Sequence, residues 1–526
     1  MEKKNALLMA YDKAGIADFA RGLISLGYAI YGSKGTVAEL AKEGVAATDI
    51  ATIVGDPILG HRVVSLSREI FAGILARDIE EDRAELKAAG ITWFDLVCVD
   101  FYPLAAELAD PAHTKDSVIE KTDIGGPTAV RAAAKAGRVV VCDPLDRERV
   151  LAWLSGGRPD EEAFLDALAA KAEALVSRYV LASAEGRSDS AYAGIIGKEV
   201  AACKYGENAY QAPAALYSGE TSDALALDRF TVVEGTPPSY NNWCDIDRML
   251  QTATHVAAAF DVNRGKVPAI AIGAKHGNAC GAAVGENPEA VLTNMLAGDP
   301  LSIFGGLVLV NFPIDDELAD ILAGKMLDGV IAPSFSEGAR DRLRRKGDKC
   351  RFIENAALAR LSKDTLDAVP RFRYVRGGFL RQPNYTFVLN LAAPELEKRG
   401  TATKAQEDDM LLAWAVGATS NSNTIALVKG GMLLGNGVGQ QDRVGAANLG
   451  IARAARSKHE LTGASAYSDS FFPFPDAPEV LFDAGIGAIL STSGSKNDQL
   501  TIDLADSRGA ALYLIPDALG RGFFGH

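Results

Sequence analysis

Along the first 145 residues, short apolar runs alternate with amphipathic stretches. Ala6–Ala10 is continuously apolar and predicts a buried strand. Ile16–Leu26 carries apolar residues at helical spacing and stops at Gly27. Tyr28–Tyr31 predicts a second strand, which runs into Gly32-Ser33-Lys34-Gly35-Thr36 and then a helix through Leu40. Ile79–Ala89 reads as a charged amphipathic helix, and Phe94–Phe101 as an apolar strand ending at Tyr102-Pro103. Thr122–Thr128 leads into a helix over Ala129–Ala136 and a strand over Val139–Cys142. Repeated βα units predict an α/β domain with a parallel sheet and a ligand site beyond the carboxyl ends of its strands. Residues 146–199 are mostly helical, with an Ala-rich amphipathic run over Glu161–Leu181, and predict a bridge to a second domain spanning 200–526.

The pattern changes after residue 200. Lys204-Tyr205-Gly206-Glu207-Asn208-Ala209-Tyr210-Gln211 is polar and aromatic without periodicity, as functional loops often are. Ala269–Ile272 predicts a buried strand that breaks at Gly273 and delivers Lys275 and His276 side by side, a fixed positive charge next to a base. The small residues Gly277–Gly281 predict a turn whose backbone amides approach a ligand. Ser302–Gly306 precedes the apolar run Leu307–Val310, and Asp328 precedes Gly329–Pro333. Asn421–Thr424 enters Ile425–Val428, and Gly435–Arg443 predicts a Gly-rich turn ending in charge. Ser468–Phe474 is an aromatic cluster near Ser493-Gly494-Ser495. Two α/β halves with similar turn chemistry suggest a duplicated architecture, although no clean repeat period stands in the sequence.

Composition narrows the function. A chain of 526 residues exceeds one ordinary core, so two to four domains are expected. No apolar run reaches bilayer length, and the N-terminal run is too short for a signal peptide, so a cytoplasmic protein is expected. The six cysteines and six histidines are scattered without CxxC, HxxxH or HxH spacing, which predicts reduced core thiols and no metal. A net charge of −14 argues against a nucleic-acid surface but leaves room for small anions near Lys204, Lys275 or Arg443. The strand–turn–helix at Ser33-Lys34-Gly35-Thr36 is an anion-binding arrangement of free amides at a helix N-terminus. It matches neither GxGxxG nor a Walker loop, which disfavours a nicotinamide-dependent enzyme.

Taken together, these segments resemble the AICAR transformylase/IMP cyclohydrolase family of purine biosynthesis, over nearly the whole chain and in order. The family's RYGENPHQ, KHxNPCG, SAFGG, DGIIAP, SNA/SNS, GxGQxSR and SDAFFPF patterns correspond to Lys204–Gln211, Lys275–Gly281, Ser302–Gly306, Asp328–Pro333, Ser422–Thr424, Gly437–Arg443 and Ser468–Phe474, and the chain ends FFGH where the family has FxH. The resemblance implies an N-terminal methylglyoxal-synthase-like domain and a transformylase region of two cytidine-deaminase-like halves. It implies formyl transfer from 10-formyltetrahydrofolate, as co-substrate, to AICAR, then closure of the product FAICAR to IMP, without a metal and in a homodimer that binds neither nucleic acid nor membrane. By the family's pattern His276 is the base, Lys275 stabilises the oxyanion and Asn423 positions the transferring group. Phe304, Gly305 and Asp328 sit near the folate or base, and Lys204 with Tyr205 and Gly206, Gln440, Arg443 and Arg521 complete the substrate contacts. In the N-terminal domain Ser33, Lys34, Gly35 and Thr36 would hold phosphate, and Tyr102, Asp123 and Lys135 match residues credited with catalysis.

The sequence also departs from the family. Lys204 stands for Arg, and Ala209 and Tyr210 stand for the Pro and His of NPHQ. Gly522 stands at the position of a phosphate-binding Arg, with Arg521 one residue away. RVKTLHPKxHGGIL becomes Arg62–Leu75, in which Val64 replaces the active-site Lys, and Ser67 and Phe71 replace both His. Tyr11 and Ala14 replace two hydroxyl residues of SDKTG. Lys34 or Arg68 would have to compensate. Two alternatives therefore stand: a monofunctional formyltransferase with a degenerate cyclohydrolase domain, and a non-catalytic nucleotide-binding regulatory or scaffold protein.

Overall fold

The computed structural model describes residues 4–59, 62–188 and 190–525; His526 of the FFGH ending lies outside them. The chain forms two compact units, Met1–Ile196 and Gly197–His526.

The first unit is built on a five-stranded sheet of β1 (Lys4–Met9), β2 (Tyr28–Gly32), β3 (Thr48–Asp49), β4 (Leu96–Val99) and β5 (Val139–Val141), in the order β3-β2-β1-β4-β5. Every neighbouring pair is parallel, as the repeated βα pattern predicts. β1 and β4 are buried on both faces, which is why they read as continuous apolar runs rather than alternating ones. The helix predicted from Ala129 already begins at Gly125, because Pro127 is tolerated in a first turn that needs no intrahelical N–H donors. The segment 146–196 belongs to this unit. Val150 and Trp153, from the helix Arg147–Ser155, lie in its core. So do Leu168, Ala172 and Val176, an i, i+4, i+8 stripe of the helix Glu161–Arg187.

The second unit opens with an antiparallel ribbon, β6 (Lys198–Cys203) and β7 (Ala214–Ser218). A repeat follows: β8 (Thr231–Glu234), the helix Tyr240–Arg264, the hairpin β9 (Ala269–Lys275) and β10 (Asn278–Gly285), then β11 (Leu307–Val310), β12 (Gly329–Ala332) and β13 (Arg351–Glu354) with helices between. A second ribbon, β14 (Arg371–Val375) and β15 (Gly378–Gln382), separates this from another copy of the plan. That copy runs β16 (Glu397–Arg399), the helix Lys404–Ala418, the hairpin β17 (Ile425–Lys429) and β18 (Met432–Gly437), then β19 (Ser465–Ser468), β20 (Ala488–Ser493) and β21 (Ala511–Pro516). The two copies join into one twelve-stranded sheet, β16-β21-β20-β19-β17-β18-β10-β9-β11-β12-β13-β8, whose order mirrors itself about the β18–β10 seam. The suggested duplication is therefore present in the topology.

Two expectations are corrected at that seam. Gly277–Gly281 is not one extended turn, and Gly435–Gly437 is not a turn. From Asn278 onward the chain is β10, and Gly435 and Gly437 lie in β18. The glycines are there because helices lie against the strands. A Cβ on Gly281 would stand 2.2 Å from the Met295 carbonyl oxygen, and one on Gly435 2.2 Å from that of Gly450. The helix Lys404–Ala418 is buried on all sides from Asp409 to Ala418, as the centre of a core requires.

Candidate active sites

The strand-end motifs singled out after Lys204–Gln211 come to one end of the twelve-stranded sheet. β9 ends there and β10, β11, β12 and β17 begin there, while β18, β19 and β21 finish there. The β9–β10 hairpin turns in two residues, His276 and Gly277, with φ of 54° and 70°. Both are left-handed, as the tight turn of a twisted hairpin demands, yet only one is glycine. The exposed His276 is thus held in a backbone conformation that costs an L-residue about 1–2 kcal/mol.

The Lys275 ammonium donates to the Phe304 carbonyl oxygen at 2.7 Å, and among the described residues no carboxylate pairs with it. The amide of Gly305 is spent on the Met326 carbonyl at 2.6 Å and that of Asp328 on the Gly306 carbonyl at 2.9 Å, so these loops support one another. Asn278 bridges two motifs: its amide group donates to the His276 carbonyl at 3.1 Å and its oxygen accepts from the Asn421 amide at 3.2 Å.

Asn423 is fastened to Gln440 by backbone bonds of 3.0 and 3.2 Å and by its side-chain amide at 3.0 Å. Beneath it lies Asp469, fully buried, which accepts from Ser422 Oγ at 2.7 Å, the Thr424 amide at 3.1 Å and Arg443 Nη2 at 3.3 Å. Burial pushes its carboxyl pKa up, while Ser422 and Arg443 pull it back. Arg521 is engaged with Asp517 at 2.8 Å and lies over the Phe471 ring. The loop Lys204–Gln211 closes on itself through Gly206 N to the Gln211 carbonyl at 2.7 Å. It meets the first turn of the helix Tyr240–Arg264 where Asn241 donates to the Glu207 carbonyl.

The first unit has its own cleft, of about 1050 Å³, at the carboxyl ends of β1, β2 and β4. Ser33 starts the helix Lys34–Lys42 without capping it: its hydroxyl bonds instead to Thr36 Oγ1 at 3.1 Å. Thr36 is buried and takes the Ala10 amide at 3.1 Å, so it anchors the turn rather than lining it. The first-turn amides are left without a side-chain acceptor at a cleft that Lys13, Lys34 and Gly35 also line. Burial lowers the Lys13 pKa against the pull of Asp100 and Glu39, while its ammonium donates to the Ala10 carbonyl.

On the facing wall the Asp123 carboxylate accepts from the Gly126 amide at 2.9 Å, and the Asp123 amide donates to Tyr179 Oη at 2.6 Å. Burial raises the Asp123 pKa, and burial with the Asp123 charge raises that of Tyr102. Tyr11 meets Tyr102 edge to face at 5.4 Å.

Two family models match the chain: AICARFT/IMPCHase bienzyme over residues 133–453, and MGS-like domain over residues 15–128. The chain is 34% identical over 549 residues to the bifunctional purine biosynthesis protein PurH of Rhodopirellula baltica, covering 99% of each chain. It is also 34% identical to the PurH proteins of Staphylococcus saprophyticus and Bacillus cytotoxicus, covering 97% of this chain and 98% of each of those. This chain belongs to the AICARFT/IMPCHase bienzyme family. It is an enzyme of purine biosynthesis with AICAR transformylase and IMP cyclohydrolase activities, and the family uses 10-formyltetrahydrofolate as co-substrate. A solved structure titled "Crystal structure of ForH" shares 35% identity, covering 36% of this chain and all of that one, at a TM-score of 0.32.

Within the bienzyme, the sites read from sequence divide unevenly. Lys275, His276, Phe304, Gly305, Asp328, Asn423, Gln440 and Arg443 stand at the same sheet end. In the N-terminal cleft, Ser33, Lys34, Gly35, Tyr102 and Asp123 are lining residues. Lys135 is not: it lies in the last turn of the helix whose first residue, Gly125, touches the cleft, about 15 Å further along the axis. Of the three replaced positions only Val64 faces the cleft. Ser67 caps the helix Arg68–Leu75 by accepting from the Ile70 amide at 3.1 Å, and Phe71 packs on the core. Arg68 pairs with Glu69 outside the lining, whereas Lys34 lines the cleft.

Sequence reading missed the cleft residues Lys13, Arg62 and Arg187, and the supporting residues Tyr179, Asp469 and Asp245. Lys13, Arg62 and Asp469 stand inside segments matched to the family without being singled out there, and Tyr179, Arg187 and Asp245 lie inside helices, where no local pattern marks them. Among the described residues no helix is long and apolar enough to cross a membrane, and no group of three or more His, Cys, Asp or Glu side chains could hold a metal.

Proposed function

We propose that formyl transfer takes place at the sheet end carrying Lys275 and His276. His276 removes a proton as the weakly nucleophilic 5-amino group of AICAR attacks the formyl carbon of 10-formyltetrahydrofolate. The new C–N bond forms, the bond to N10 of the folate breaks, and the proton passes on to that leaving nitrogen. Lys275 stabilises the tetrahedral oxyanion, since its ammonium is held by one carbonyl and has no carboxylate to neutralise it. Asn423 orients the transferring group, while Lys204 and Arg443 offer charge to the nucleotide. This reading involves no metal.

The observation that carries the proposal is His276 in the left-handed region, where the matching turn of the second repeat has Gly430. Strain kept at one residue beside an unpaired ammonium is what a built reaction site displays. The test is His276→Ala in the full-length protein: formyl transfer should fall by about 10²–10⁴-fold, and unchanged turnover would overturn the assignment.

For ring closure we propose the N-terminal cleft, with phosphate at the Ser33-Lys34-Gly35 turn and Tyr102 and Asp123 at the ring-forming end. Closure is intramolecular, so holding the carboxamide nitrogen against the formyl carbon supplies much of the acceleration even with Val64 in place of Lys. IMP formation from FAICAR, compared with Tyr102→Phe and with Val64→Lys, tests this. Wild-type closure faster than in buffer and slowed by Tyr102→Phe supports the cleft, whereas closure no faster than in buffer refutes it.

We further propose a homodimer. The ribbon β14–β15 exposes Tyr374, Phe379 and Leu380, and a two-stranded ribbon has little stability of its own. A monomeric mass by light scattering at micromolar concentration would overturn this.

A further inference from the structure

The two repeats use the same device at equivalent points of their plan, and only one of them carries the Lys-His pair there. In each, the hairpin after the long helix closes in a two-residue turn with both φ angles positive: His276-Gly277 at 54° and 70°, Gly430-Gly431 at 61° and 72°. In each, an aspartate five residues into the preceding long helix reaches that turn. Asp409, in the helix Lys404–Ala418, accepts from the Gly430 amide at 2.9 Å and the Gly431 amide at 2.7 Å. Asp245, in the helix Tyr240–Arg264, accepts from the Gly277 amide at 2.5 Å and also faces the His276 amide. The helix sequences leading to them, YNNWCD and KAQEDD, share only the carboxylate.

We propose that Asp245 is a positioning residue for formyl transfer, fixing His276 in its left-handed turn so that the imidazole is aimed at the reacting amine. The inference rests on His276 being the base. Where the turn is Gly-Gly, left-handed backbone carries no penalty and the aspartate only satisfies two amides. At His276 the same conformation is disfavoured, and the turn is free to relax unless something holds it. Asp245 holds it from the helix side. Asn278 holds it from the other side, through the His276 carbonyl, and ties it to the Asn421–Asn423 loop. A relaxed turn would swing the imbalance into the side chain, because the direction of Cβ at a turn residue follows its φ and ψ.

The test measures kcat, the KM for AICAR and for 10-formyltetrahydrofolate, and the thermal midpoint of the full-length protein. Asp245→Ala should lower kcat about 10- to 100-fold while both KM values stay within about twofold, as expected when a misplaced group affects the transition state more than binding. Asp245→Asn, whose amide oxygen still accepts from Gly277, should recover most of kcat. Asp409→Ala removes the same clamp from the repeat without the Lys-His pair, and should leave kcat unchanged whatever it does to the midpoint. If Asp245→Ala does not fold, Asp245→Glu moves the carboxylate by one methylene and should lower kcat where Asp245→Asn does not. Wild-type kcat in Asp245→Ala or Asp245→Glu overturns the inference, and so does a parallel loss of kcat in Asp245→Ala and Asp409→Ala. His276→Ala in the same assay separates the two ideas: if it keeps turnover the base assignment fails, and if it loses turnover while Asp245→Ala does not, only the positioning role fails.

Discussion

Replacing His276 by glycine and, separately, by alanine tests the geometry of the transfer site without a ligand. Both changes delete an exposed imidazole, so both lose the proposed base and little packing. They differ at the main chain. Alanine keeps the cost of about 1–2 kcal/mol that a φ of 54° imposes on an L-residue, and glycine removes it. Glycine in turn loses about 0.4–1 kcal/mol through the greater freedom of its unfolded chain. The difference leaves His276→Gly more stable than His276→Ala by about 1 kcal/mol, or about 1–2 °C in the transition of a unit of this size. Calorimetry of both variants in one buffer, read at the transition of the second unit, measures this, and formyl-transfer kcat should be lost in both. A glycine variant no more stable than the alanine variant would mean that the chain is not held left-handed at position 276, and would remove the strain argument for the site.

Three further outcomes follow from the packing and the charges. The Asp123 carboxyl is raised above its usual 3.8 mainly by burial, so the stability tied to its neutral form is complete below that pH and is lost as pH rises through the raised value. Asp123→Asn should therefore raise the thermal midpoint of the first unit at pH 7, by a margin that shrinks toward pH 4, while abolishing ring closure; a margin independent of pH would refute this. Gly281→Ala would drive a Cβ to 2.2 Å from the Met295 carbonyl oxygen, where backbone has to move, and should destabilise the second unit by about 1–3 kcal/mol in urea unfolding; an unchanged midpoint would contradict the close packing. A fragment ending at residue 145 lacks Val150, Trp153, Leu168, Ala172 and Val176 of the first core and should be unfolded by circular dichroism and proteolysis, whereas a fragment of residues 1–196 should fold and close FAICAR.

Much of this protein was legible before any fold was known. Alternation of apolar runs with amphipathic segments determined the parallel sheet of the first unit, because strands buried on both faces must be apolar throughout. Short polar and glycine-bearing segments at strand ends marked the candidate site residues, since ligand sites of such sheets lie beyond strand ends. Local pattern misread β10 and the end of β18. Their glycines could equally have made turns, and only the helices lying 2.2 Å from a would-be Cβ show that they make close contacts instead. Motif matching treats Tyr102 and Lys135 alike, and only the fold shows that Tyr102 lines the N-terminal cleft while Lys135 stands at the far end of a helix whose start touches it. The mirror order of the twelve-stranded sheet, the capture of Asp123 by Tyr179 across 56 residues and the grip of Asp245 on the His276 turn across 32 are products of tertiary structure. Sequence determines what each segment can bury and which groups it can offer. Which of those groups meet is decided when distant segments pack, because the contacts that align them carry no local signature.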